Sequence, residues 1–213
     1  MFSIEPVGSR EANAVYSQSL KNGFLAEFRK EPKPNTIAVG SVDYCLQVLP
    51  KPREIINFYP SFLKDFLGRD ITLRTKNEIK PGLFVKSATS FKKFEPFVVS
   101  DLTVLKDDVY WCSEVVNFVN EWRYYIANGK QITSGWYLGG DDDEVYIDSD
   151  GPKLNINWPD KFCGAVDFGL TDDGRLLLVE SHPPFACGWY GVNNADYVEW
   201  LITSWKTNSW INL

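Results

Sequence analysis

Two hydrophobic periods alternate along this chain, and they change character near residue 80. Phe2 to Val7 alternates weakly and predicts a first strand. Ser9 stands at an N-cap position, and Ala14, Val15, Leu20, Phe24 and Leu25 recur at helical spacing, so a helix is expected from about Arg10 to Phe28. Gly23 is the weak point of that helix. Two prolines between Lys30 and Asn35 force a loop. Thr36 to Leu49 reads as a short strand that passes into a short helix at Ser41. Lys51 to Pro60 is irregular, Ser61 to Leu67 supports one or two helical turns, and Ile71 to Arg74 is a strand. Lys80-Pro81-Gly82 is a turn. Residues 1–80 are therefore expected to form a small α/β lobe, and residues 81–213 a second unit.

From Leu83 onward the pattern is one of short strands with turn signals. Strands are expected over Leu83 to Lys86, Phe97 to Leu102, Val109 to Phe118 and Trp122 to Ala127. Asn128-Gly129 is a strong hairpin signal, with Gln131 to Leu138 as the returning strand. Gly139 to Asp143 is an acidic loop. Phe162 to Gly169 and Arg175 to Glu180 form a further pair joined by Asp172-Asp173-Gly174, and Asn194 to Lys206 closes the chain as a helix. Antiparallel strands with helices packed on them make an α+β fold. No internal repeat or low-complexity tract is present.

Composition narrows the function classes. Hydrophobic residues make up 44% and charged residues 23%, as in ordinary folded proteins. The net charge is −6, which argues against a general nucleic-acid surface but leaves room for a small basic pocket. The four cysteines, Cys45, Cys112, Cys163 and Cys187, lack any C-x-x-C spacing, so free thiols in a reducing compartment are expected rather than zinc or disulfides. There is no signal-peptide pattern at Met1 to Val7, and no apolar run reaches the roughly 20 residues of a membrane helix. The expectation is a soluble, cytoplasmic protein with no nucleic-acid or membrane partner. Its oligomeric state is open.

Candidate chemistry gathers in the second unit. Asp167 lies near the end of one strand of the last pair, and Glu180 ends the other. A tight hairpin sets two such carboxylates side by side, where they repel unless a cation or proton lies between them. Mg²⁺ suits that setting. His182, the only histidine, follows Glu180 at i+2 and so shares its face. The plain alternative is a common hairpin with solvated strand ends. Lys86 ends an apolar strand and can reach phosphate oxygens, or simply snorkel. Lys92 and Lys93 follow in a loop with Phe91 and Phe94 that could close over a nucleotide. Glu121 and Arg123 share one face of a strand otherwise rich in aromatics, so Arg123 needs a partner. That partner is either Glu121 or a bound phosphate or carboxylate. Walker-type and Rossmann-type glycine loops are absent, as is a G-x-S-x-G elbow. The acidic stretch Asp141-Asp-Asp-Glu144, with Asp148 and Asp150-Gly151, lacks the ligand order of a Ca²⁺ loop and reads as solvated.

Several segments, taken in order, resemble the ATP-grasp proteins of the clade named for one arginine and two lysines. They are Val39-Gly-Ser-Val-Asp43, Phe84-Val-Lys86, Lys92 with Phe94, and Ser113 through Arg123. Asp167-Phe-Gly-Leu-Thr-Asp-Asp-Gly174, Leu178-Val-Glu180 and Gly188-Trp-Tyr-Gly191 follow. The 13-position separation of Asp167 and Glu180 is similar to that of the D-alanine ligase branch. The resemblance implies an ATP-grasp-like fold that clasps a nucleotide, with ATP and Mg²⁺, or Mn²⁺, as cofactors. It places Lys86 on the ATP phosphates, Lys92 in the covering loop and Glu114 in the hinge near adenine or ribose. Arg123 would face phosphate or an acyl-phosphate, and Asp167 and Glu180 would bind metal, with His182 as third ligand or just behind it. Lys92 and Arg123 are the catalytic candidates, and Glu121 joins the nucleotide-binding set. The chain departs from the family pattern at His182, where an asparagine is usual, and at Ser87 and Pro96, in place of a proline and a glycine.

The activity implied is that of an ATP-dependent carboxylate–amine ligase working through an acyl-phosphate on small-molecule or peptide substrates. A non-catalytic nucleotide-binding or protein-interaction module on the same fold is the alternative, motivated by His182 and Pro96. Such proteins occur in phage and bacterial genomes, so a viral source would place the chain in the host cytoplasm.

Overall fold

Local chemistry sets where the elements stop. In the computed structural model, which describes residues 1–50, 55–91, 94–105, 108–137 and 151–211, the first helix ends at Asn22 rather than near Phe28. Its N-cap behaves as expected: the Ser9 side chain accepts the Ala12 N–H at 3.3 Å. Gly23 then takes a left-handed φ of 67° and donates its N–H to Ser19, so it is a C-cap rather than an interior weak point. The chain leaves the helix there, and Leu25 accepts the Phe2 N–H at 2.8 Å to open a strand.

In chain order the elements are β1 (Phe2–Ile4), α1 (Arg10–Asn22), β2 (Ala26–Phe28), β3 (Ile37–Val39), α2 (Val42–Leu46), β4 (Ile71–Thr75) and β5 (Phe84–Ser87). They continue with β6 (Phe97–Val98), β7 (Val109–Ser113), β8 (Phe118–Ala127), β9 (Lys130–Tyr137), β10 (Gly164–Thr171), β11 (Leu176–His182) and α3 (Asn194–Thr207). Three sheets result. A parallel one runs β2-β1-β3, an antiparallel one β4-β7-β5-β6, and a second antiparallel one β11-β10-β8-β9. The α+β class read from the sequence is the observed one. Although β4 precedes residue 80, it pairs with β7 and belongs to the middle sheet.

The strand expected from Val109 to Phe118 stops at Ser113 as β7, and the one expected from Trp122 begins earlier, at Phe118, as β8. β7 pairs with β4 and β5, whereas β8 pairs with β9 and β10. The chain changes sheets between them, and Glu114 and Val115 in the crossing are exposed. The Asn128-Gly129 turn is as expected, with φ of 49° and 67° at its two residues. The acidic loop falls at 138–150, and it and the acidic residues weighed for Ca²⁺ lie outside the described residues.

Alternation in β8 and β10 divides the core. Tyr124, Ile126, Val166 and Phe168 face Leu63 on one side of the last sheet. Tyr125, Ala127 and Ala165 face the other side, where Trp200, Leu201 and Trp205 of α3 meet β1 and β3. Arg123 and Asp167 have the same parity as this second face, so the sheet that packs α3 also presents the candidate site. A third cluster around Val85, Val99, Tyr110 and Cys112 stabilises the middle sheet. All four cysteines are free, with only Cys163 partly exposed. Among the described residues no helix is long and apolar enough to cross a membrane.

Candidate active site

A cavity of about 800 Å³ lies where the three sheets meet. Gly8 to Glu11 and Gly40 to Val42 of the first lobe form one wall. Lys86, Ser87, Phe91 and the Phe94–Pro96 stretch form a second, and Arg123, Glu180, His182 and the 185–190 loop a third.

Register builds the charged floor. Asp167 is paired across the ladder with Glu180 on one side and with Arg123 on the other. A bulge at Asp167/Phe168 shifts the β10–β11 pairing there. Asp167 is fully buried and Arg123 is 6% exposed. The guanidinium donates from Nε to Asp167 Oδ1 at 2.7 Å and from Nη2 to Oδ2 at 2.6 Å, a two-point pair. Burial works against the Arg123 charge, but the Asp167 carboxylate more than offsets it and holds the guanidinium well above its ordinary range. Tyr190 covers the guanidinium, with its ring centroid 5.0 Å away. Gly135, opposite Arg123 on β9, permits this: a Cβ there would collide with the Tyr190 carbonyl.

Lys86 reaches across from β5 to contact the Glu180 carboxylate, and its ammonium lies 3.7 Å from the Phe58 ring centroid. Burial brings Lys86 down to about 7, with Asp167 opposing the fall and Arg123 adding to it. The Glu180 contact favours its ammonium form. His182 Nε2 stands 2.5 Å from Glu180 Oε1 and 3.7 Å from Asp167 Oδ2.

Lys86, Arg123, Asp167, Glu180 and His182 converge. The two carboxylates are side by side, yet the cations matched to them are Arg123 and Lys86, and the partner of Arg123 that the sequence left open includes Asp167. Glu121 shares the parity of Arg123 but does not line the cavity, and neither does Glu114, whose exposed carboxylate accepts the Asp70 N–H at 3.4 Å. Lys92 lies outside the described residues. Phe58 had no sequence signal. It is 1% exposed, and its carbonyl accepts the Ser181 N–H at 2.8 Å, which anchors its segment to β11.

One donor atom from each of Asp167, Glu180 and His182 lies within 4.8 Å of the others. That spacing and the two carboxylates fit a divalent cation. The cleft sets this donor set beside two cations, Lys86 and Arg123, of the kind that suit phosphate oxygens.

The chain belongs to the ATP-grasp domains of the clade named for one arginine and two lysines, family 2, whose model matches residues 66–200. With that family goes the general class of ATP-dependent ligases. A RimK domain protein of the ATP-grasp type from Sphaerobacter thermophilus shares the fold over 92% of this chain and 97% of its own, at 12% identity and a TM-score of 0.57. D-alanyl-alanine synthetase A from Vibrio cholerae aligns over 95% and 97% at 14% identity and a TM-score of 0.49. D-alanine–D-alanine ligase from Bacillus anthracis, complexed with ATP, aligns over 68% and 62% at 16% identity and a TM-score of 0.42. The likeness to the RimK domain protein shows the fold alone. No curated protein matches the sequence.

Proposed function

We propose that the chain joins a carboxylate to an amine at the expense of ATP. A carboxylate oxygen of the first substrate attacks the γ-phosphorus, the bond to the bridging oxygen breaks, and ADP leaves. The amine nitrogen of the second substrate then attacks the acyl carbon, phosphate departs, and the nitrogen loses a proton. The protein's part is placement and charge neutralisation.

The observation that carries this reading is the convergence of Arg123, Lys86, Asp167, Glu180 and His182, with Asp167 buried beneath the cavity and the other four lining two of its walls. Lys86 and Arg123 would turn from carboxylate to phosphate or acyl-phosphate oxygens, and Lys92 would act from the covering loop. Glu114 and Glu121, away from the cavity, would serve the nucleotide only through the hinge between β7 and β8. Asp167, Glu180 and His182 would hold Mg²⁺, or Mn²⁺. When bound, the cation supplies charge neutralisation at the phosphates. Residues 81–213 would hold the nucleotide, and the lobe of residues 1–80 would lend its Gly8–Glu11 and Gly40–Val42 wall to the substrates. These are small-molecule or peptide carboxylates and amines.

ADP release in a panel of amino acids and short peptides tests the proposal. The expected result is ADP formed only when both a carboxylate and an amine partner are present. Lys86→Met should lower that rate by about 10²-fold or more, the scale of losing one preorganised electrostatic contact. ATP binding without consumption under every substrate pair would instead leave the non-catalytic module.

A further inference from the structure

We infer that His182 Nε2 is itself a metal donor, and that the site therefore selects a first-row transition cation, Mn²⁺ or Co²⁺, over Mg²⁺. The inference rests on the nucleotide-and-metal reading above and gives that site a specificity-determining residue.

Three observations carry it. First, Nε2 does not turn away from the acids: it lies 2.5 Å from Glu180 Oε1 and 3.7 Å from Asp167 Oδ2, so one cation can meet all three. Second, the ring is held in that attitude. Phe58 packs on it edge-on at 5.9 Å and 78°, and Ala165, fully buried, stands opposite on β10. Third, no other histidine exists in the chain to supply nitrogen.

The chemistry follows from the donor set. Mg²⁺ binds oxygen and gives up its water reluctantly, so replacing an oxygen donor by imidazole weakens its hold. Imidazole suits later first-row cations, whose affinity for a mixed nitrogen and oxygen site rises along the series from Mn²⁺ to Co²⁺. Two carboxylates keep the site hard enough for a phosphate-bound cation, and one imidazole tilts it away from Mg²⁺. If His182 only donated a hydrogen bond to Glu180, neither the metal ratio nor the coordination sphere would contain its mark.

The test is calorimetric titration of ATP into the whole protein with saturating Mg²⁺ and then Mn²⁺, repeated on His182→Asn. It is paired with pulsed electron paramagnetic resonance of the Mn²⁺–ATP complex. Isotopic labelling of the histidine separates protein nitrogen from adenine nitrogen. The Asn variant puts an oxygen donor where the imidazole stood, and circular dichroism reports independently of binding that it is folded. The expected result is a preference for Mn²⁺ over Mg²⁺ that falls by roughly tenfold or more in the variant, the scale of disturbing a metal-site partner. Histidine nitrogen coupling should be present in the wild type and absent from the variant. An unchanged metal ratio, or no histidine coupling in the wild type while binding stays metal-dependent, overturns the inference and leaves the nucleotide reading standing. Loss of metal-dependent binding in the wild type overturns both.

Discussion

Replacing Asp167 by alanine lowers folding stability by ~3–5 kcal/mol, the scale of breaking a buried ion pair on one side only. Both partners are shielded from solvent, at 0% and 6% exposed, so water screens little of the loss. Arg123 cannot escape by releasing its proton, since a guanidinium stays charged across the working pH range. Its neighbours include the Tyr190 ring and the Lys86 side, and Lys86 is itself a cation that repels it. Substituting both partners, Arg123→Met with Asp167→Leu, should recover much of the loss, because paired removal leaves no orphan charge. Urea denaturation of the three variants reads this directly. A drop below about 1 kcal/mol for Asp167→Ala would mean that the pair is solvated and the site more open than described.

Trp200→Ala is expected to cost a similar ~3–5 kcal/mol, as for truncation of a large aromatic in a packed core. Trp200 is fully buried at the centre of α3, and its ring sits 5.0 Å from Tyr125 and 5.5 Å from Tyr197. Its Nε1 donates to the Ile126 carbonyl at 3.1 Å and the Gly164 carbonyl at 3.2 Å, so it fastens the helix to β8 and β10 together. Those strands carry Arg123 and Asp167, and loosening them should blunt nucleotide binding as well. Trp200→Phe keeps most of the ring and loses the donor, so about 1 kcal/mol is expected for it. Equal losses for Ala and Phe would show that the hydrogen bonds, not the packing, hold the helix.

What the sequence makes legible is what a single hairpin or a single strand encodes. Asp167 and Glu180 are neighbours because a short turn joins two apolar strands, and turn chemistry and alternation are local signals. The shared face of Glu180 and His182 and the hairpin at Asn128-Gly129 follow from the same rules. The need of Arg123 for a partner is also readable, since a charge among aromatics is costly. The identity of that partner is not, because Asp167 reaches it across a ladder between strands far apart in sequence. Nor is the Lys86 contact with Glu180, which joins two sheets. Phe58 lies in an irregular segment with no period at all, and only its tertiary path puts it between Lys86 and His182. The early end of α1 is hidden because Phe24 and Leu25 continue the apolar spacing past a glycine that stops the helix. The break between β7 and β8 is expected a few residues too late, after Phe118, because residues 114–117 keep strand-like composition where the chain leaves one sheet for another.

Calorimetric titration of ATP with and without Mg²⁺, on the wild type and on Asp167→Asn with Glu180→Gln, tests the central claim most directly. Two carboxylates of the site are already matched by Lys86 and Arg123, so a divalent cation alone should bind weakly, whereas ATP with the cation brings its own negative charge. ATP binding should strengthen with the metal in the wild type and lose that metal dependence in the variant, with circular dichroism showing the variant folded. Absence of ATP binding with any divalent cation, or metal-dependent binding unchanged in the variant, would contradict the claim.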